Sequence, residues 1–128
     1  MTVFCAFAAR AGEMSIMCAY AMLNEGRAIL AQCGNPLDPT HEQGYVVQNA
    51  ALEQFIRANG KSDAEKIISH WGAQPEQEHV RAEGQKMCQS ADYPGIRKMI
   101  ESLTSPEVTA KVLESLKTPR DPMVGDCL

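Results

Sequence analysis

Cys18 and Cys33 stand fifteen residues apart in a proline-free stretch patterned as one helix. Ile16, Tyr20, Leu23 and Leu30 recur near helical spacing, and Met17, Ala28 and Ile29 widen the stripe. Along a helix that rises ~1.5 Å per residue the two cysteines lie about 22 Å apart. A disulfide needs Cα atoms within roughly 7 Å. Neither cysteine can therefore pair with the other, and each must find its partner from another element. A chain that satisfies this has to fold back on itself at both ends of that helix.

The remaining punctuation divides the chain into further helices. The first spans about residues 13–32 and stops at Cys33-Gly34, ahead of Asn35-Pro36. Asp38 followed by Pro39 is a strong start signal, a cap and then a first-turn proline. The helix it opens buries Tyr45, Leu52, Phe55 and Ile56 and closes at Asn59-Gly60. Ser62 to Glu65 has the form of a capping box, leading into Ile67, Ile68 and Trp71. Gly72 and Pro75 interrupt this segment, so it either kinks or restarts at Pro75 and runs to about Cys88, with Val80 and Met87 on its weakly apolar face. A fourth helix begins near Asp92-Tyr93-Pro94 and carries Ile96, Met99, Ile100 and Leu103. A fifth begins at Ser105-Pro106 with Val108, Val112, Leu113 and Leu116 as its stripe. Residues 118–128, with Pro119 and Pro122, read as an extended tail. No segment alternates as a strand, and there is no internal repeat.

The expected fold is all-α, a compact bundle of four to five helices with a disulfide-tethered C-terminal tail. Short connections make consecutive helices antiparallel. The first helix then ends at one pole with Cys33, the second descends, and the third, if it continues past Pro75, brings Cys88 back to that pole. Cys33–Cys88 is the expected bridge, and Cys18–Cys127 the one that straps the tail. Each would contribute about 2–4 kcal/mol by restricting the unfolded chain. Cys5 is left over. The competing reading is five reduced thiols packed as small apolar residues in a cytosolic protein.

With 128 residues the chain suits one domain, taken as residues 13–128. Residues 1–12 form an apolar N-terminal segment that lacks a basic start but contains the small-x-small pattern Ala6-Phe7-Ala8, as a signal-peptide remnant would. Cleavage there would remove Cys5. Disulfides persist in oxidising compartments, so the expected location is periplasmic or secreted, with the cytoplasm as the alternative. Twelve basic and sixteen acidic residues give a formal charge of −4 without a basic patch, which argues against nucleic acid as a partner. No run approaches the ~18 apolar residues of a membrane span.

Candidate chemistry is sparse. Met14, Cys18 and Met22 follow at four-residue steps with Met17 at the edge, a soft-donor set suited to Cu(I), although methionines at such spacing also fill helix-packing cores. His41, His70 and His79 show no metal-clamp spacing. His79 and Glu83 are four apart, as surface pairs often are, and Glu76, Glu78 and Glu83 read as a charged surface. There is no P-loop, no dinucleotide glycine pattern, no Gly-x-Ser-x-Gly and no haem-attachment motif, so neither an enzyme activity nor a cofactor is implied. Trp71, the only tryptophan, is either a core anchor or a recognition residue for a partner protein.

In size, helicity and cysteine use, the layout is similar to small helical periplasmic proteins, including immunity proteins that block exported cell-wall amidases. The sequence supports three functional expectations. The first is a non-catalytic exported protein that binds another protein, with an inhibitor of an exported enzyme as one form of it. The second is a copper binder built on the helix-one methionines. The third is a small enzyme whose site assembles only in three dimensions. Oligomeric state is not legible.

Overall fold

Ser15 starts the first helix, because its Oγ accepts a hydrogen bond from the Cys18 amide at 3.0 Å and so satisfies one orphan donor of the first turn. The computed structural model describes residues 15–72 and 86–125. Helix α1 (Ile16–Gln32) ends as its sequence implies. Gly34 adopts φ +72°, and the Asn35 amide returns to the Leu30 carbonyl at 3.0 Å. Helix α2 (Pro39–Asn59) follows, with the Asp38 carboxylate accepting from the His41 amide at 3.0 Å.

The entry to α3 (Ala64–Trp71) corrects one expectation. Ser62 and Glu65 do not form a capping box. The chain leaves α2 through Gly60 directly into a 3-10 turn over Lys61–Asp63, with Lys61 at φ +52°. Ser62 is thereby placed inside a turn instead of ahead of one, and Glu65 instead meets Arg57 Nε at 3.3 Å. Space at the junction is tight: a Cβ on Gly60 would stand 3.2 Å from the Ala64 Cα. The stretch from Pro75 to residue 85 lies outside the described residues, so the continuation of α3 towards Cys88 does too.

Helix α4 (Tyr93–Leu103) and helix α5 (Pro106–Ser115) are separated only by Thr104 and Ser105. Thr104 closes α4 by donating its hydroxyl to the Ile100 carbonyl at 2.7 Å, and Ser105 opens α5 by accepting from Val108 N at 3.2 Å. Two adjacent caps of opposite sense turn the chain sharply. The described residues are all-helical, five α-helices with no strand.

The main core lies where α1, α2 and α3 meet, around Tyr20, Leu23, Leu52, Phe55, Ile56 and Ile67. Helix α4 joins it at one close contact. Gly26 of α1 leaves room for the fully buried Ile100, whose side chain any Cβ at position 26 would strike. Burying an isoleucine contributes roughly 1.5–3 kcal/mol.

Cys33 and Cys88 are joined, with Cα atoms 5.4 Å apart. The bridge spans 55 residues of sequence and fastens the approach to α4 onto the end of α1. Cys18 is disulfide-bonded as well. Its expected partner, Cys127, lies outside the described residues, as does Cys5. Up to Gly125 the tail is held by its own contacts. Pro122 is buried and its carbonyl accepts from Met17 N at 3.0 Å. The Arg120 guanidinium lies 5.4 Å above the Phe55 ring and donates to the Ser115 and Thr118 carbonyls.

Candidate functional site

Polar and apolar chemistry are divided between the two long faces of α2. The face towards α1 carries a ladder of polar pairs. Tyr20 donates to Glu53 at 2.7 Å. Asn24 donates to Asn49 at 2.9 Å and to the Tyr20 carbonyl at 2.9 Å, and accepts from the Tyr45 hydroxyl at 2.6 Å. Arg27 forks onto Glu42 while standing 4.6 Å above the Tyr45 ring. The order Tyr20–Glu53, Asn24–Asn49, Arg27–Glu42 is the signature of antiparallel helices.

This ladder holds α1 and α2 in one register. Burial, reinforced by the Glu53 carboxylate, pushes the Tyr20 phenol far up, and burial also raises Tyr45. Both phenols remain neutral donors at any physiological pH. Among the described residues no buried side-chain nitrogen or oxygen lacks a partner, and no group of three or more His, Cys, Asp or Glu is placed to hold a metal ion.

The opposite face of α2 lines a groove with α5. Contacts running from Gly44 against Thr104, through Gln48 against Thr109, to Phe55 beside Leu116 show that α2 and α5 run parallel. A buried joint fixes their spacing. Gln48 Nε2 donates to the Leu103 carbonyl at 2.7 Å and to Thr109 Oγ1 at 2.8 Å. Gly44 lets the backbones touch, since a Cβ there would strike the Thr104 carbonyl. Beyond that joint Val112 and Leu116 continue the packing onto the core, and the outer edges of the two helices diverge. One chamber of about 660 Å³ opens over Thr40, Val47, Pro106 and Ala110. A second of about 290 Å³ opens over Ala51, Ala58 and Leu116. Leu113 borders both. Among the described residues, Lys117 is the only ionisable one lining either chamber. Gln43, an exposed residue of α2, lines the first chamber.

The residues singled out from sequence fall elsewhere. Cys33 and Cys88 come together. Of the copper set, Met14 is outside the described residues, Met17 packs against the core, Met22 is half-buried, and the Cys18 sulfur sits in a disulfide and not as a thiolate. Trp71 is half-buried at the margin of the core, edge-on to the His70 ring at 4.5 Å, and takes no part in the groove. His41 Nδ1 lies 2.8 Å from Asp38, where the His41 amide and ring hold the carboxyl below its ordinary range. His79, Glu76, Glu78 and Glu83 lie outside the described residues.

Sequence reasoning missed Val47, Ala51 and Leu113 as a surface. The available signal was a second apolar stripe on α2, Val47, Ala51 and Ala58, beside the stripe that enters the core. No protein-family model matches the chain, and no curated protein or solved structure matches it.

Proposed function

We propose that this chain is a non-catalytic exported protein that acts by binding another protein across the outer face of α2 and α5. The groove between those helices carries the reading. Its walls are apolar or neutral, and a single ionisable group, Lys117, lies at one end. A charged ligand entering the groove away from Lys117 would lose hydration without gaining a counter-charge. An apolar protein surface loses nothing there and gains burial. The surroundings suit a protein interface. Glu107 with Lys111 and Glu114 with Lys117 pair along the solvent side of α5, giving an apolar centre with a self-neutralised polar rim. Export is supported by the disulfide-bonded state of Cys18, Cys33 and Cys88, which a reducing cytosol would oppose.

The test places a photo-crosslinking residue at Gln43, exposed in the groove lining, and separately at Lys98 on α4, in the producing cell. Adducts from position 43 with one identified protein are expected, with none from 98. The purified pair should then bind directly, at least tenfold more weakly when Leu113→Glu puts a charge in the groove. Equal labelling from both positions would remove the binding face. Counting free thiols on unfolded, unreduced protein addresses export, and finding all five cysteines free would overturn it.

A further inference from the structure

We infer that the Cys33–Cys88 bond is a redox latch, which a dithiol reductant opens in the folded protein to free residues 86–92 from the end of α1 while α4 stays docked. This inference is independent of the binding face.

The first ground is access. Thiol–disulfide exchange needs a thiolate to reach a sulfur, so burial decides where the native protein can be attacked. Cys18 is 2% exposed, and its sulfur is shut off from solution. Cys33 and Cys88 are only half-buried, and the chain beside them lies open. Gln32, Gly34 and Gln89 are exposed, and a Cβ on Gly34 would meet nothing within 4 Å.

The second ground is what the bond holds. Among the described residues, the hydrogen bonds of residues 86–92 are local. The Gln89 amide donates to the Lys86 carbonyl, the Ser90 amide to the Met87 carbonyl at 3.0 Å, and the Asp92 amide to Ser90 Oγ at 3.1 Å. None of these ties the segment to α1. The disulfide does, holding the Cys33 and Cys88 Cα atoms 5.4 Å apart.

The third ground is what stays in place without it. The end of α1 is closed by backbone groups, with the Cys33 amide on the Ile29 carbonyl and the Asn35 amide on the Leu30 carbonyl, both at 3.0 Å. Helix α4 is pinned at its first residue, where the Tyr93 hydroxyl accepts from Asn35 Nδ2 at 2.9 Å. It is pinned again by Ile100 against Gly26. Opening the bond gives up none of these contacts. The lost constraint acts on the unfolded chain, which becomes freer.

The chemistry needs only the dithiol. One of its thiolates attacks Sγ of Cys33 or Cys88, the Sγ–Sγ bond breaks, and the displaced cysteine leaves as a thiolate that takes up a proton. The second thiol then attacks the mixed disulfide and releases the other cysteine. Two electrons pass to the protein, and the reductant ends as an internal disulfide. Exchange with an oxidised disulfide reverses the step and closes the latch.

The experiment treats the intact oxidised protein with dithiothreitol in the absence of denaturant, then alkylates it and maps the labelled cysteines by mass spectrometry. Cys33 and Cys88 should be labelled together, roughly tenfold or more ahead of Cys18. Backbone heteronuclear NOEs of the same sample should fall over residues 87–91 to values of a mobile chain, with those of α1, α2 and residues 96–103 unchanged. Exchange into oxidised glutathione should restore the starting spectrum. Cys33→Ser/Cys88→Ser should show the opened spectrum with or without dithiothreitol. Three results would each overturn the latch. One is a bond that resists dithiothreitol until denaturant is added. Another is reduction that comes only with unfolding, seen as Cys18 labelled in step and α2 signals lost. The last is a reduced protein in which residues 87–91 stay as ordered as before, which would leave the bond with nothing to hold.

Discussion

Helix α2 is matched on one side and unmatched on the other. Towards α1, Glu42, Tyr45, Asn49 and Glu53 each meet a specific polar partner on the facing helix. Towards α5, the contact is a buried joint at Gly44 and Gln48 and the apolar packing of Val112 and Leu116 on the core, outside which small and apolar side chains line open space. Buried polar pairs are costly unless complete, so a complete ladder selects one register of α1 on α2. An apolar groove selects no register and leaves surface that another chain can cover. The first interface specifies the fold, and the second is where the fold has surface to offer.

The largest expected effect sets the scale for both sides. Cys33→Ser/Cys88→Ser removes a link across 55 residues and should lower stability by about 4 kcal/mol on the chain-entropy account. Chemical denaturation of wild type and variant, both without reductant, gives the number. A loss below about 1 kcal/mol would mean that the α1 terminus and the approach to α4 are held together by other contacts, such as Asn35 on Tyr93.

Asn24→Leu attacks the matched side directly. It removes one buried amide that serves Tyr45, Asn49 and the Tyr20 carbonyl at once. The buried Tyr45 hydroxyl is left without an acceptor, so a loss of about 3 kcal/mol is expected. Adding Tyr45→Phe should return part of that loss, because two matched apolar groups replace one orphaned polar group. Strictly additive losses in this double-mutant cycle would show that the ladder does not act as a unit. Tyr20→Phe is the milder version. It removes the hydrogen bond to Glu53 but leaves that carboxylate near Arg57, so about 1 kcal/mol is expected from urea melts.

The difference between the two faces also governs what could be read from sequence. Helix ends at Cys33-Gly34, Asp38-Pro39 and Ser105-Pro106 were legible because a cap acts within four residues. The Cys33–Cys88 bridge followed from helix length and alternation of direction, both coarse quantities. Ser62 and Glu65 misled because the box requires an extended residue before the helix. Here the short link from Gly60 forces a 3-10 turn instead. The groove was illegible for another reason. Tyr45, Leu52, Phe55 and Ile56 announced one buried face of α2, while Gly44, Val47 and Ala51 were small enough to pass as filler. Their meaning depends on α5 lying parallel beside them; the Ser105-Pro106 cap announces where α5 starts, but its placement along α2 follows from the Gln48 joint, which carries no local sequence signal.

The smallest expected change in stability is the sharpest test of the comparison. Ala110→Arg puts a long cation on an exposed position of the groove wall, and nothing in the folded chain must move to admit it. Surface substitutions of this kind usually stay within about 0.5 kcal/mol. Its thermal melt should overlay that of wild type, whereas the same residue should abolish crosslinking from Gln43. The opposite pattern, a clear destabilisation with crosslinking intact, would mean that α2 and α5 close over the groove in solution. The unmatched side of α2 would then be as internal as the matched one.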